Sequence, residues 1–145
     1  MRGLVRVGAA VPSLALGNVK ENMKRHLAMM REAKERHVSI VTFPELSLTG
    51  YTCGDLFFQR RLLDDVAEAL LTLKDEMPEE IIAVVGAPLE IEGALYNCAV
   101  VLVSHMAKPG ANNSDALDRL LGSSDFRNAA RSIIIVGRDP AEPEV

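Results

Sequence analysis

The stretch "TFPELSLTGYTCGDLF" sets one acid, Glu45, two residues past the apolar run "IVTF", with a thiol, Cys53, eight residues further on. A carboxylate can move protons, and a thiolate can attack a carbonyl carbon. Pro44 holds Phe43 extended and fixes its own φ, so the acid is carried on a stiff backbone. An acid at the end of a buried strand is expected to be partly withdrawn from water, which favours its protonated form and suits proton transfer. The same position also suits a helix cap or an arginine partner, and position alone does not choose between them. Cys98 lies inside an apolar run and reads as a small buried hydrophobe. His26 and His37 fall on a helix face and at a helix end, with no ligand partner at metal-binding spacing.

The elements that must carry these groups follow from periodicity. "LVRVGAAVP" reads as a buried strand closed by proline. Val19, Met23, Leu27, Met30 and Ala33 recur at three- and four-residue steps and line one face of a helix. Asn18, with Glu21 three residues later, predicts a capping box at its start. "VSIVTF" is a second strand, and strand–helix–strand implies a parallel pair. A polar loop follows, then "RRLLDDVAEALLTLKDEM" with Leu62, Leu63, Val66, Ala69, Leu70 and Leu73 on one face. "EIIAVVGAPLEI" and "LYNCAVVLV", joined by "EGA", predict an antiparallel hairpin. Beyond Val103 come a loop, two short helices with Ser114 and Ser124 as N-caps, the strand "IIIVG" and a polar tail.

The chain has 145 residues and a net charge of −4 with both signs dispersed, which gives no footprint for nucleic acid or an anionic membrane. Tryptophan is absent, so no base-stacking surface is expected. Arg2 and Arg6 interrupt the mildly apolar start, which argues for a strand and against a signal peptide. No run approaches the ~18 apolar residues of a membrane span. Two cysteines suggest no disulfide framework, and a cytoplasmic location is expected.

"FPELSLTGY" with its continuation "TCGDLF" resembles the first catalytic segment of the nitrilase (carbon–nitrogen hydrolase) superfamily. The likeness is to the amino-terminal glutaminase domain of glutamine-dependent NAD synthetase. It runs from about Leu4 to Leu102 and includes "VVGAPLEIEGALYNCAVVL". The resemblance implies an α/β fold: the βαβαββ start of an α-β-β-α sandwich, here over residues 1–103. It also implies a chemistry in which a cysteine attacks the amide of glutamine, a glutamate shuttles the proton and a lysine steadies the oxyanion. Glu45 matches the glutamate, as general base. The family's lysine and cysteine follow later than this chain's Lys108, and Cys53 belongs to the "GYTCGD" loop. The family therefore implies a glutaminase, here truncated and inactive, with glutamine as substrate. It implies no cofactor for this segment, since ATP and deamido-NAD belong to a synthetase domain beyond it.

Residues 98–140 carry a second likeness. "CAVVLVSHMAKPGANNSDALDRLLGSSDFRNAARSIIIVGRDP" resembles a piece of RepA-type RecA-like ATPases, with His105 and Lys108 in one signature and Arg138, Asp139 and Pro140 in another. No G-x-x-x-x-G-K-[ST] phosphate cradle is present. The two likenesses overlap at "CAVVLV" and suggest a chimera, with residues 104–145 as an unrelated segment whose helix pair and strand replace the second half of the sandwich. Such a chain is expected to expose apolar surface and to self-associate as a homo-oligomer. The alternative functions are a non-catalytic interaction module of nitrilase-like fold and a remnant of the ATPase.

Overall fold

The computed structural model describes residues 5–104 and 133–137. Five strands form one sheet in the order β1 (Val7–Ala9), β2 (Ile40–Thr42), β3 (Ile82–Ile91), β4 (Ala94–Val103) and β5 (Ile133–Gly137). β1 and β2 pair in parallel, as do β2 and β3; β3 with β4 and β4 with β5 are antiparallel. The parallel pair, the hairpin and the strand "IIIVG" thus form as the residue pattern predicts. The α/β class and the start of the partial sandwich are present, as one helix layer on one sheet. The expected helix pair around Ser114 and Ser124 lies outside the described residues.

Helix α1 (Val19–Glu35) begins where Asn18 Oδ1 accepts the Glu21 N–H at 3.1 Å. Only half of the capping box forms, because the Glu21 carboxylate turns to Arg25 instead. The helix ends in a Schellman motif: Val38 N–H reaches Ala33 O and His37 N–H reaches Lys34 O. His37 takes the left-handed position at φ 57° and is exposed, a helix-end residue as its place in the sequence implies.

Val19, Leu27, Met30 and Ala33 of α1 meet the buried leucines and Val66 of helix α2 (Arg60–Glu76). Both helices lie on one face of the sheet, over Val41, Ala83, Val85, Ala87, Cys98, Val100 and Leu102. Strand residues alternate between faces, so β2, β3 and β4 give this core every second side chain.

The segment between β2 and α2 departs from a simple polar loop. Leu46 to Gly50 are buried, with Leu48 in the core, and Gly54–Phe58 form a short 3-10 helix. No helix among the described residues is long and apolar enough to cross a membrane.

Candidate functional site

Glu45 rides on a chain of overlapping turns at the carboxyl end of β2. Ser47 N–H bonds Pro44 O, and the Thr49 and Gly50 N–H groups both bond Leu46 O. Closing these turns puts Leu46 in the left-handed region at φ 51°, a costly conformation for a branched apolar residue. Two strand-like bonds then lay the segment beside β3: Phe43 N–H to Val84 O, and Leu48 N–H to Gly86 O. The fit at Gly86 is close. A Cβ there would stand 2.3 Å from Pro44 O and 2.4 Å from Leu46 N.

Within this tightly held segment Glu45 alone, from Phe43 to Gly50, is exposed. The expectation that it is partly withdrawn from water is therefore corrected: a strand end covered on one side leaves its outward side chain wet. The side chain is nevertheless fixed in direction, because Asn97 Nδ2 donates to Glu45 Oε1. Asn97 sits on β4, opposite Pro88 of β3. Sequence reading did not single it out; its signal was an amide inside an apolar strand, at a position of the outward-facing alternation.

Two buried side chains pin the segment from beneath. Asn22 of α1 accepts Ala15 N–H at 2.8 Å and donates to Ala15 O and Leu48 O. His26, one helical turn on, lies 2.7 Å from Asn22 O through Nδ1 and 2.8 Å from Ser47 Oγ through Nε2. A carbonyl only accepts, so Nδ1 carries the proton. Burial disfavours the charged ring and lowers the His26 pKa, against a smaller opposing effect of the Asn22 carbonyl. The neutral ring's Nε2 then accepts the Ser47 hydroxyl, whose oxygen accepts Gly86 N–H at 3.3 Å. The ring also packs on Phe43, with centroids 4.3 Å apart. His26 is thus a buried linker between α1, the Glu45 segment and β3.

This linkage has a pH signature. The imidazole of an unfolded chain titrates near ~6.5, whereas native His26 binds that proton less readily. The unfolded state therefore holds more protons below ~6.5, and stability falls as pH drops from there through the native value. Urea midpoints should fall between pH 7.5 and pH 5.5, and the fall should be smaller in His26→Asn. Equal slopes in the two proteins would remove His26 as the cause. Glu80, held below the usual carboxylate range by the hydrogen bond from Lys34, acts only at lower pH.

The thiols stand apart from the acid. Cys53 is buried, and its Sγ donates to Thr49 O at 3.2 Å. Cys98 points into the helix-facing core, where burial raises its thiol pKa and keeps it protonated. Both cysteines are free. No group of three or more His, Cys, Asp or Glu among the described residues is placed to hold a metal ion. His105, Lys108 and Arg138 to Pro140 lie outside the described residues. The site is therefore an oriented, solvent-facing carboxylate on a rigid strand end, equipped to accept and return a proton.

Comparison with known proteins bears on what that carboxylate serves. The family model for carbon-nitrogen hydrolase matches residues 6–108, which takes in the whole Glu45 segment, the hairpin, His105 and Lys108. Glutamine-dependent NAD(+) synthetase of Mycobacterium tuberculosis is 39% identical over 101 residues, 69% of this chain and 15% of the relative. The synthetase of Arabidopsis thaliana is 37% identical over 90 residues, 59% of this chain and 12% of the relative. The chain thus spans about 15% of the length of the first curated relatives it matches. Among solved structures, the glutamine-dependent NAD(+) synthetase of Cytophaga hutchinsonii superposes with a TM-score of 0.65 at 30% identity, covering 69% of this chain and 17% of that one. An amidase from Nesterenkonia sp. shares the fold, with a TM-score of 0.55 at 16% identity over 67% of this chain and 37% of that one. A model match over more than two-thirds of the sequence settles the family: this chain belongs to the carbon-nitrogen hydrolases.

Proposed function

We propose that this chain supplies the general base of a glutaminase-type site, with Glu45 as the base and the side-chain amide of glutamine as its target. The observation that carries the reading is the Glu45 carboxylate itself, exposed on a buried, turn-locked segment and aimed by Asn97. In amide hydrolysis through a thioester, the base takes the thiol proton as sulfur attacks the carbonyl carbon. It then gives that proton to the nitrogen as the C–N bond breaks and ammonia leaves. A water, deprotonated by the same carboxylate, releases the acid from the thioester.

The base has no partner thiol here, since Cys53 is engaged with Thr49 and Cys98 faces the core. The chain by itself is therefore inactive, and ATP and deamido-NAD belong with the synthetase part of the longer relatives. Two free cysteines support a reducing, cytoplasmic setting.

Fragment complementation tests the assignment. The wild-type chain alone should release no ammonia from glutamine above a Glu45→Gln control. Mixed with a M. tuberculosis synthetase shortened by its matching first segment, the wild-type chain should restore release and Glu45→Gln should not. Equal restoration by both would remove Glu45 as the base. Glu45-dependent turnover by the chain alone would overturn its inactivity.

A second reading, a non-catalytic interaction module, is favoured by the exposed apolar side chains of Val5, Val7 and Val11 on and beside β1. The ATPase-remnant reading rests on the sequence after Cys98, and the hydrolase match already takes in His105 and Lys108 from its first signature. A thermal shift with ATP would support it, and none would remove it.

A further inference from the structure

The strand register brings Asn97 to Glu45. Ala83, Val85 and Ala87 of β3 and Cys98 and Val100 of β4 belong to the helix-facing core, so Gly86, Pro88, Asn97 and Ala99 face the other way. Gly86 pairs with Ala99 and Pro88 with Asn97, which sets Asn97 diagonally beside Gly86. The backbone from Pro44 to Leu46 lies on Gly86, close enough that a Cβ there would stand 2.8 Å from the Glu45 carbonyl carbon. The Glu45 side chain therefore starts above Gly86 and reaches the neighbouring position on the partner strand, where Asn97 Nδ2 donates to Oε1.

Both side chains are exposed, yet each is carried on hydrogen-bonded backbone, Glu45 on turns seated against β3 and Asn97 within β4. Leu46, Phe57, Pro88 and Leu95 line a hollow of about 200 Å³ together with Asn97, and none of these four side chains can hydrogen-bond. Glu45 forms no ion pair among the described residues, so an uncharged group orients it. Its two oxygens are thereby unequal. An ionised carboxylate only accepts and an amide N–H only donates, so Oε1 is occupied as an acceptor. A proton arriving on Oε2 leaves that bond in place. A proton on Oε1 would turn the accepting oxygen into a hydroxyl, a weaker acceptor crowded by the amide.

We infer that Asn97 is a positioning residue for the base, keeping Oε1 as a standing acceptor and reserving Oε2 as the atom that carries the proton. The role rests on Glu45 being the general base proposed above. In the thioester route the S–H proton passes to Oε2 as the S–C bond forms, then from Oε2 to nitrogen as the C–N bond breaks. A water O–H proton next passes to Oε2 as the water oxygen attacks the thioester carbon, and moves on to sulfur as the C–S bond breaks. One fixed atom serves every transfer, so the carboxylate need not turn between them, and misalignment of a reacting group by about 1 Å can cost ~10²-fold in rate.

Two measurements test the role. By NMR on the full 145-residue chain, the Asn97 side-chain amide protons should move with the Glu45 carboxyl carbon as pH is lowered. They should stay displaced from those of free asparagine on both sides of that titration, and lose the dependence in Glu45→Gln. In the mixture with the shortened M. tuberculosis synthetase, Asn97→Ala should lower kcat for glutamine at least about tenfold, part of the ~10²–10⁴-fold that a placed base contributes, with KM within about twofold. Asn97→Asp, the same shape without the N–H, should fall as far, whereas Asn97→Gln, which keeps the amide, should recover part of the rate. Urea midpoints of these variants should match the wild-type chain, because Asn97 is exposed. Amide protons indifferent to the Glu45 titration overturn the inference, as does Asn97→Ala at the wild-type kcat while Glu45→Gln is inactive. A rate loss matched by a loss of stability marks a merely structural residue and overturns it too. Equal rates from wild type and Glu45→Gln remove the base, and this role with it, an outcome that no Asn97 variant can imitate.

Discussion

Gly86→Ala is expected to destabilise the protein by about 3 kcal/mol, at the upper end of what overpacking a buried position costs. The added methyl would meet backbone: Pro44 O at 2.3 Å, Leu46 N at 2.4 Å and the Glu45 carbonyl carbon at 2.8 Å. None of these can swing aside as a side-chain tip can. Relief requires the Glu45 segment to lift from β3, breaking the Leu48 N–H bond to Gly86 O and the Gly86 N–H bond to Ser47. Gly8→Ala is the matched control, because its methyl would touch only Val38 at 3.4 Å, ordinary contact. Chemical denaturation should separate the two variants. A Gly86→Ala protein as stable as Gly8→Ala would show that the segment is not seated on β3 as described.

Asn22→Leu should cost about 3 kcal/mol or more, although the two side chains are nearly the same size. Asn22 is fully buried, and its amide satisfies three backbone groups: Ala15 N–H, Ala15 O and Leu48 O. Leucine would leave Ala15 N–H and Leu48 O without the bond Asn22 gives them, at about 1–3 kcal/mol for each group that water cannot reach, while Ala15 O would keep the Asn18 N–H. Asn18→Ala, which removes only an exposed helix cap, should cost about 1 kcal/mol and sets the scale. Equal urea midpoints for the two variants would mean that Asn22 is not the tie between α1 and the Glu45 segment.

The two variants act on one structure from opposite sides. β3 receives the segment only where a glycine leaves room, and α1 holds it by two buried polar side chains, Asn22 and His26. Glu45 owes its fixed place to neighbours that do no chemistry.

The sequence by itself determined the main helices and strands among the described residues and one helix cap. Helical spacing marked the buried stripes of α1 and α2, Asn18 marked a helix start, and the "EGA" turn marked the hairpin. Each of these is encoded within a few neighbouring residues, because helix and hairpin geometry repeat over short spans. Glu45 was legible as a candidate base for the same reason: proline and a strand end lie beside it in the chain. Tertiary structure alone decided what surrounds that acid. Asn97 reaches it from 52 residues away, and the partnership depends on the register of β3 with β4. The same holds for His26 with Ser47, for the demand that position 86 be glycine, and for the water that still reaches the carboxylate. Local sequence sets which way a backbone runs, but the polar groups and open space around a side chain are set by whichever distant strand packs against it.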